Sequence, residues 1–545
     1  MNWTTHKVIN QPPELVDYNL YDTDAALREG VLREGGSSDA DSLFRYGALL
    51  GQRENFRLAA EANRHGPELQ AYDMHGHRVD RILFHPAWTH FMALTYGQGM
   101  HSGGWVEPRP GAQVARAAAY LMHGQIEAGS LCPTTMTAAA IPVLRKEAWF
   151  DRIAPLLFSR RYDGRDIPLE NKTSMSIGMG MTEKQGGSDL RSNTTTAQPI
   201  GRAGRGEIYR LTGHKWFFSA PTSDAHLVLA RTGDAFSCFY VPRWRSEGDR
   251  NGILLQRLKD KLGNKSNASA EVEFQDAEGV LVGEPGRGIA TLVEMASYTR
   301  LDCVLGSAAL LRQAFVQAMH HARHRQAFGS TLVQQPLMQS VLADLALESI
   351  AATTLALRLA GALDAAGNPE EDTWRRVMAP AAKFWVCKRA ITAVAECMEV
   401  WGGNGYIEEG PLARIYRETP VNSIWEGSGN IMCLDVLRAL GRSPEQAQAM
   451  LGHLAQACAG DAMLTARLHA LRAHLAEPAA LEPRARRLAR DLVLLVQAAL
   501  LRQHAPQVVA DTFIRSRFSE GGQVFGACDF TPAEIAALLA WAWPD

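Results

Sequence analysis

The sequence has no CxxC pair and no grouping of cysteine with histidine at zinc-ligand spacing, although eight cysteines are spread along its 545 residues. Cys132, Cys238, Cys303, Cys387, Cys397, Cys433, Cys458 and Cys528 stand in apolar or helical surroundings. They read as reduced core residues, and neither a disulfide frame nor a metal site is expected. An excess of one charge is also missing: 56 Lys and Arg against 58 Asp and Glu leave a formal net charge of −2. Without a global basic field, any nucleic-acid contact has to come from a local patch. No apolar run reaches the roughly 20 residues needed to cross a bilayer, and the opening MNWTTHKVIN lacks a basic-then-apolar leader pattern. A soluble, cytoplasmic protein is expected. No period of solenoid length recurs, which argues against a repeat architecture.

What is present is length and a changing texture. At 46% hydrophobic the chain can bury several cores, because single cores stop growing near about 250–300 residues. Two to four domains are expected. Residues 1–173 are mixed and helical in tone, with a candidate helix at Gln113–Ala128 and interruptions such as HSGGWVEPRPG. Residues 174–287 turn to short β-type runs, among them EIYRLTG, HLVLART, FSCFYVP, GILLQRL and SAEVEF, separated by Gly, Asn and Asp. Residues 288–442 are Ala/Leu-rich and close to 3.6-periodic, with breaks at FGSTLVQQP, AAGNPEED and WGGNGYIEEGP. Three or four long helices there would pack as a bundle. Residues 443–545 are again helical but rich in Ala and Arg, which marks an appended domain.

Particular segments sharpen this outline. GMGMTEKQGGSDLRSNTT resembles the "MTEPGAGSD" flavin signature of the acyl-CoA dehydrogenase superfamily, and LTGHKWFFSA its "G.K.WITNG" partner. HRQAFG is similar to its "R..FG" element, WGGNGY to "GG.GY", and IWEGSGNIM to "IYEGT". Five elements in the family's order and spacing are far more specific than one glycine-rich match. The resemblance implies an α+β chain of the acyl-CoA dehydrogenase type: an N-terminal helical domain, a central β-barrel-like domain and a C-terminal four-helix bundle, here with an appended helical domain. It implies non-covalent FAD and a homotetramer. The extended start, the EKQGGSD and WFFS variants and the long tail resemble one subgroup associated with the response to DNA alkylation, in which duplex DNA is contacted through the C-terminal region.

A flavin needs dipoles along its pyrimidine edge and N5, and a loop with Gly186, Gly187, Ser188 and Asp189 lets backbone N–H groups approach closely. The resemblance places Met181, Thr182, Gly187 and Ser188 at the cofactor, with hydroxyls from Thr182 and Ser188. A plain turn with helix-cap residues is the bland alternative. Trp216, Phe217 and Phe218 match an aromatic wall beside the isoalloxazine, against the alternative of barrel core. The family's hydroxyl two residues after the Trp is Phe218 here, with Ser219 one step later. Arg325 and Phe328 match positions that reach the FAD of a neighbouring subunit, Gln335 resembles the Gln that follows, and Gly402 and Gly403 match residues that touch the cofactor across the interface. Arg325 could instead only end a helix favourably.

Removing an α-proton from an acyl thioester while a β-hydride departs requires a carboxylate facing the α-carbon and donors at the carbonyl. The resemblance gives that role to Glu426, with Trp425, Ser428 and Asn430 beside the cofactor. Some family members carry the base just before an Arg in the first bundle helix. That position is Thr299 here, and Arg300 is carried over as a catalytic residue. Burial would raise the Glu426 pKa toward working pH; as an alternative, Glu426 caps the helix starting near Gly429. Trp425 replaces a common Tyr, so a small or short acyl-CoA-like substrate is expected.

Two functions stay open: a flavin dehydrogenase, or a protective flavoprotein beside double-stranded DNA with little acyl-CoA turnover. The tail from Arg442 to Asp545 carries ten Arg and no Lys against five Asp and five Glu. Within that balance Arg486, Arg487 and Arg490 could form a cationic stripe, with Arg438, Arg515 and Arg517 as further DNA contacts. A solvated face paired with Glu482 and Asp491 is the competing reading.

Overall fold

The computed structural model describes residues 4–477, 480–519 and 524–544. Two units emerge, Arg57–Asp302 and Met1–Phe56 with Cys303–Asp545. The division falls inside a single 37-residue helix, Gly288–His324. The first 56 residues thus group with the helical part of the chain rather than with the segment that follows them.

The unit Arg57–Asp302 begins with an element that the helical texture of residues 1–173 does not announce, a hairpin of β1 (Glu68–Tyr72) and β2 (Arg78–Leu83). Asp73 makes its turn by accepting from the amides of His75 and His77 at 2.8 and 2.9 Å, the Asx geometry that favours Asp at a reversal. The candidate helix at Gln113–Ala128 is present as Ala112–Ile126. The main sheet follows: β3 (Ile177–Gly180), β4 (Thr196–Pro199), β5 (Ile208–Ser219), β6 (Ala225–Thr232), β7 (Ala235–Pro242), β8 (Ile253–Leu258) and β9 (Ser269–Val282). The five expected β-type runs fall on β5 to β9. Strand order is β3-β6-β4-β5-β9-β7, and β6 also pairs with β7 along its length. That second pairing closes β6, β4, β5, β9 and β7 into a barrel, with β3 added on β6 and β8 on β9. Inward side chains from Leu211, Phe218, Val228, Phe239, Val272, Phe274 and Leu281 fill it.

The helical unit is built on Pro336–Asp364 and Pro369–Val400, with Pro411–Asn422 and Gly429–Arg442 after them. Pro336–Asp364 is long and apolar enough to cross a membrane by composition, but 89% of its most apolar window is buried within the unit. It is a core helix. Pro369–Val400 has a well-defined start: the Asn368 side chain accepts from the Glu370 amide at 3.0 Å, Pro369 takes the first turn, and Glu370, Glu371 and Asp372 face the positive helix end. Among the described residues the tail is helical, in five segments between Pro444 and Ala542. Seven of the eight cysteines are buried and all are free. Among the described residues no cluster of His, Cys, Asp or Glu could hold a metal.

Candidate functional site

In the barrel unit the two flavin-type motifs are tied together by a charge pair that the sequence reading did not single out. Lys215 Nζ, on β5, donates to Glu183 at 2.7 Å, and both side chains are fully buried. Glu183 also accepts from the amides of Thr194 and Thr195 at 2.6 and 3.1 Å and from Gln185 Nε2 at 2.8 Å. The Trp216 amide completes the seam by donating to Thr182 O at 2.8 Å. Burial pushes the Glu183 carboxyl up, but Lys215 and the Thr194 and Thr195 hydrogen bonds outweigh it and hold it down at about 2. Burial likewise pulls the Lys215 ammonium down, to about 8, against the attraction of Glu183. A signal was available: strand alternation puts Lys215 on the same inward face as Tyr209 and Leu211, and an inward charge demands a partner.

Just beyond Lys215, β5 carries a bulge. Lys215 pairs with Val272 and Phe218 with Ala270, so Trp216 and Phe217 together oppose Glu271. Plain alternation would turn Phe217 inward and Phe218 outward; the extra residue exchanges them. Phe217 is 52% exposed, whereas Phe218 is wholly buried and stacks on His226 with ring centres 4.0 Å apart. The aromatic wall is therefore Trp216 and Phe217, and the placement of Phe218 at a flavin is corrected: it belongs to the barrel core. Burial holds the His226 ring neutral, its pKa pulled down to about 3. Lys259 Nζ lies 3.3 Å from the centre of the Trp216 ring, a cation–π contact. The Ser219 hydroxyl is 3.3 Å from Ser269 Oγ across the sheet, so it is already engaged inside the barrel.

The loop itself fits a cofactor edge. Among the described residues, the hydroxyls of Thr182 and Ser188 and the Gly187 amide make no hydrogen bond, and Gly187 and Ser188 are exposed. A Cβ on Gly187 would come within 3.3 Å of Thr182, so the loop brings these groups side by side. Gly186 is required for packing, since a Cβ there would lie 2.4 Å from Ser192 Oγ and 2.6 Å from Asp189 O. Met181 is half-buried next to this edge, its carbonyl held by Asn193 Nδ2 at 2.7 Å. Asp189 acts as a helix cap, accepting from the Arg191 amide at 3.1 Å. Thr299 is buried with its hydroxyl bonded back to Ala296 O at 3.1 Å, and Arg300 is half-buried.

In the helical unit, Gln326–Ala327 and Ser330–Thr331 form a tight hairpin. Both turn residues, Phe328 at φ 52° and Gly329 at φ 88°, are left-handed, the requirement of a type I′ connection. Phe328 is 99% exposed at its tip. Asn10 grips the first strand, its side chain bonded to the amide and carbonyl of Gln326 at 2.8 Å each. Arg325 follows the helix end and donates to Asn10 O at 2.5 Å, while Gln335 donates to Ala327 O at 2.8 Å. Both therefore brace the hairpin. Gly402 has φ 61° and ψ −142°, a conformation natural only to glycine. A Cβ on Gly402 or Gly403 would meet nothing within 4 Å.

Glu426 lies in the loop before Gly429–Arg442, half-buried and left-handed at φ 58°. A non-glycine residue in that region stores strain and is held by its surroundings. Trp425 Nε1 donates to Asn422 Oδ1 at 3.1 Å, and buried Lys383 donates to Gly427 O at 2.8 Å. The residue at the helix N-cap is Ser428, whose side chain makes no capping hydrogen bond. Asn430, in the first turn, accepts from Arg486 at 3.1 Å.

The tail arginines separate. Arg486 lies over the Phe384 ring at 5.3 Å as well as reaching Asn430, so it does not share a free stripe with Arg487 and Arg490. Those two flank Asp491 at 3.7 and 2.6 Å, and Arg438 meets Asp435 at 3.4 Å. Arg515 is paired with Glu534 at 2.9 Å. Arg517 corrects the expectation of a DNA contact outright. Its side chain is only 5% exposed, 2.6 Å from Asp344 and 3.1 Å from Glu348.

Three family models match the chain: the adaptive response protein AidB N-terminal domain over residues 10–164, the acyl-CoA dehydrogenase middle domain over 178–277 and the acyl-CoA dehydrogenase C-terminal domain over 286–441. The chain is 53% identical over 446 residues to "Putative acyl-CoA dehydrogenase AidB" of Escherichia coli (strain K12), covering 81% of this chain and 82% of that protein. It is 32% identical to "Acyl-CoA dehydrogenase family member 11" of Caenorhabditis elegans, covering 72% of this chain and 68% of that protein. Among solved structures, Caenorhabditis elegans ACDH-11 in complex with C11-CoA has the same fold, with a TM-score of 0.85 at 24% identity over 99% of this chain and 93% of that one. With the motif loops in place, the chain belongs to the acyl-CoA dehydrogenase family of FAD-dependent oxidoreductases.

Proposed function

We propose that the chain dehydrogenates a short acyl-CoA-like thioester, with Glu426 as the proton acceptor. The observation that carries this reading is the strained, half-buried Glu426, held in a left-handed conformation between two residues that are each tied to a buried or nearly buried side chain. FAD, when bound, supplies the acceptor for the electron pair that leaves with the β-hydrogen. Glu426 takes the α-proton, so one C–H bond breaks at each carbon and a C=C bond forms between them. Thr182, Gly187 and Ser188 offer unpaired donors to the cofactor edge, and Trp216 and Phe217 give it an apolar wall. Trp425, beside the base, restricts the acyl group to a small one.

Copies of the chain assemble into a tetramer in this reading. Its support is the exposed apolar tip of Phe328, with Leu337 at 86% exposure at the start of the next long helix and Tyr406 at 78% in the short helix Gly403–Tyr406. Burying such groups is the normal fate of large exposed apolar surface.

The test is anaerobic addition of acyl-CoAs of graded length to the FAD-loaded protein. Short thioesters should bleach the flavin band, and Glu426→Gln should keep FAD but abolish bleaching. No bleaching at any length, or undiminished bleaching in the variant, would remove the reading. A second reading, a protective flavoprotein at duplex DNA, is supported by the matched AidB N-terminal domain model.

A further inference from the structure

We propose that Lys259 is a positioning residue for the cofactor: steered by the Glu271 carboxylate, its ammonium sits on the Trp216 ring and fixes the aromatic wall against which FAD packs. This inference rests on the reading of Trp216 and Phe217 as that wall.

The wall stands where the sheet gives it least support. At the β5 bulge Trp216 and Phe217 together oppose the single residue Glu271 of β9, so neither ring has the directly opposed side chain that steadies a residue in a regular ladder. Trp216 is half-buried and Phe217 is exposed. Their own rings meet edge to face with centres 6.5 Å apart. A ring with no packing on its face turns among rotamers, and a wall that turns cannot set the plane of a cofactor.

The missing support comes from β8. Its last residues pair with β9, Arg257 opposite Glu271 and Leu258 opposite Ala270, and the next amide, that of Lys259, donates to Ser269 O at 2.8 Å. The ladder therefore delivers the Lys259 side chain beside the bulge. Its Nζ lies 3.3 Å from the centre of the Trp216 ring and 4.8 Å from that of Phe217, so one ammonium spans both rings. It also donates to Glu271 Oε1 at 2.6 Å, and Arg257 donates to the same oxygen at 2.7 Å. The residue that opposes the bulge thus holds the cation that steadies it.

Three cations surround the indole, and they are not equivalent. Lys184 and Arg257 stand 5.5 and 5.7 Å from the Trp216 ring centre; Lys184 is exposed and Arg257 keeps 65% of its side chain in water. Lys259 keeps 14%, and its partner Glu271 13%. A cation shielded from water is held more strongly by a ring face than an exposed one. Lys259 is the nearest of the three and the best enclosed, which singles it out as the group that sets the ring.

The test compares FAD-loaded wild type with Lys259→Met, Lys259→Arg, Glu271→Gln, Trp216→Leu and the double variant Trp216→Leu/Lys259→Met. Two quantities are read: the rate of FAD release on dilution, from the rise of free-flavin fluorescence, and the visible circular dichroism of the bound flavin, which reports how neighbouring groups are arranged around it. Lys259→Met should release FAD about fivefold faster, the loss of one shielded cation–π contact, and should shift the flavin dichroism toward that of Trp216→Leu. Glu271→Gln should move both quantities the same way by less. Lys259→Arg keeps a cation for the ring and should hold both close to wild type.

In the Trp216→Leu background Lys259→Met should add nothing, because the ring it acts through is gone. A lysine that stabilises the sheet without orienting Trp216, or one that touches the cofactor itself, would act equally in both backgrounds, and that result would overturn the inference. Wild-type release and dichroism in both Lys259→Met and Glu271→Gln would overturn it too. If Lys259→Met does not fold, Glu271→Gln with and without Trp216→Leu carries the same comparison. Wild-type behaviour of Trp216→Leu would instead strike the reading of Trp216 as the flavin wall, and this inference with it.

Discussion

The barrel motif and the arginine-rich tail use charge in opposite ways. Around Glu183 and Lys215 a few charged residues are buried completely, and each is met by a partner. Along the helix Leu481–His504, Arg484, Arg487 and Arg490 keep 40%, 55% and 44% of their side chains exposed and rest on acids at the surface. Burial, not the number of charges, decides which of these pairs is structurally binding: removing one partner of a buried pair leaves an uncompensated charge, whereas an exposed pair exchanges readily with water. The tail contains both kinds. Arg517, only two residues from exposed Arg515, is enclosed with Asp344 and Glu348.

The largest expected effect breaks a buried pair. Lys215→Met should destabilise the barrel unit by about 3–5 kcal/mol, read from denaturant unfolding, and Arg517→Met should do the same in the helical unit. Combining Lys215→Met with Glu183→Gln should restore part of the loss, because the stranded charge is gone. Acid should act in the same direction. The carboxyl of Glu183 is lowered on folding, so its contribution is complete above its ordinary pKa and fades as pH falls from about 4.5 towards about 2. Over that window Glu183→Gln should flatten the pH dependence of stability. A Lys215→Met protein as stable as wild type would erase the contrast with the tail.

A second comparison separates two neighbouring aromatics. Phe218→Ala should cost about 3–5 kcal/mol by opening a cavity in the barrel, while Phe217→Ala, at an exposed bulge position, should stay within about 0.5 kcal/mol. Phe217→Ala should instead weaken FAD retention, measured as cofactor lost on gel filtration. Equal destabilisation by the two changes would mean that the bulge does not sort them.

These contrasts mark what was legible in the sequence. Runs of six to fourteen residues with alternating or continuous apolar texture gave β5 to β9, and the 3.6 period gave the long helices. The four-residue strands β3 and β4 are too short for any period to register, and the β1–β2 hairpin lay inside text with a helical tone. The motif loops were found from their residue types, but the bulge at Trp216 and Phe217 was not, because one extra residue in a strand leaves no mark in composition. Without it, strand alternation alone would turn Phe218 outward and Phe217 inward. In the tail, counting arginines could not tell an exposed one from Arg517, whose partners are about 170 positions away in sequence. The Glu183–Lys215 pair lay between these cases: the inward register of Lys215 was readable, and its partner was not.

The smallest expected effect concerns DNA, and it tests whether the exposed half of the comparison has a use. Arg486 has left the stripe for Asn430, so the exposed cations left in the first half of that helix are Arg484, Arg487 and Arg490. Their partners, Glu477 and Asp491, are surface acids, and such pairs contribute only about 0–1 kcal/mol each. A phosphate could displace them. Any binding should be weak and independent of sequence, because contacts to phosphates carry no base information. Reversing all three charges to Glu should abolish duplex retention at low salt on every sequence while leaving FAD content unchanged. The salt dependence should flatten by about three in slope, at roughly 0.9 per phosphate neutralised. The measurement is duplex affinity across a salt series, with flavin absorbance as the control for folding. If the triple variant retains duplex as wild type does, or wild type retains none at low salt, the exposed arginines are a solvated face and the protective reading loses its contact with DNA.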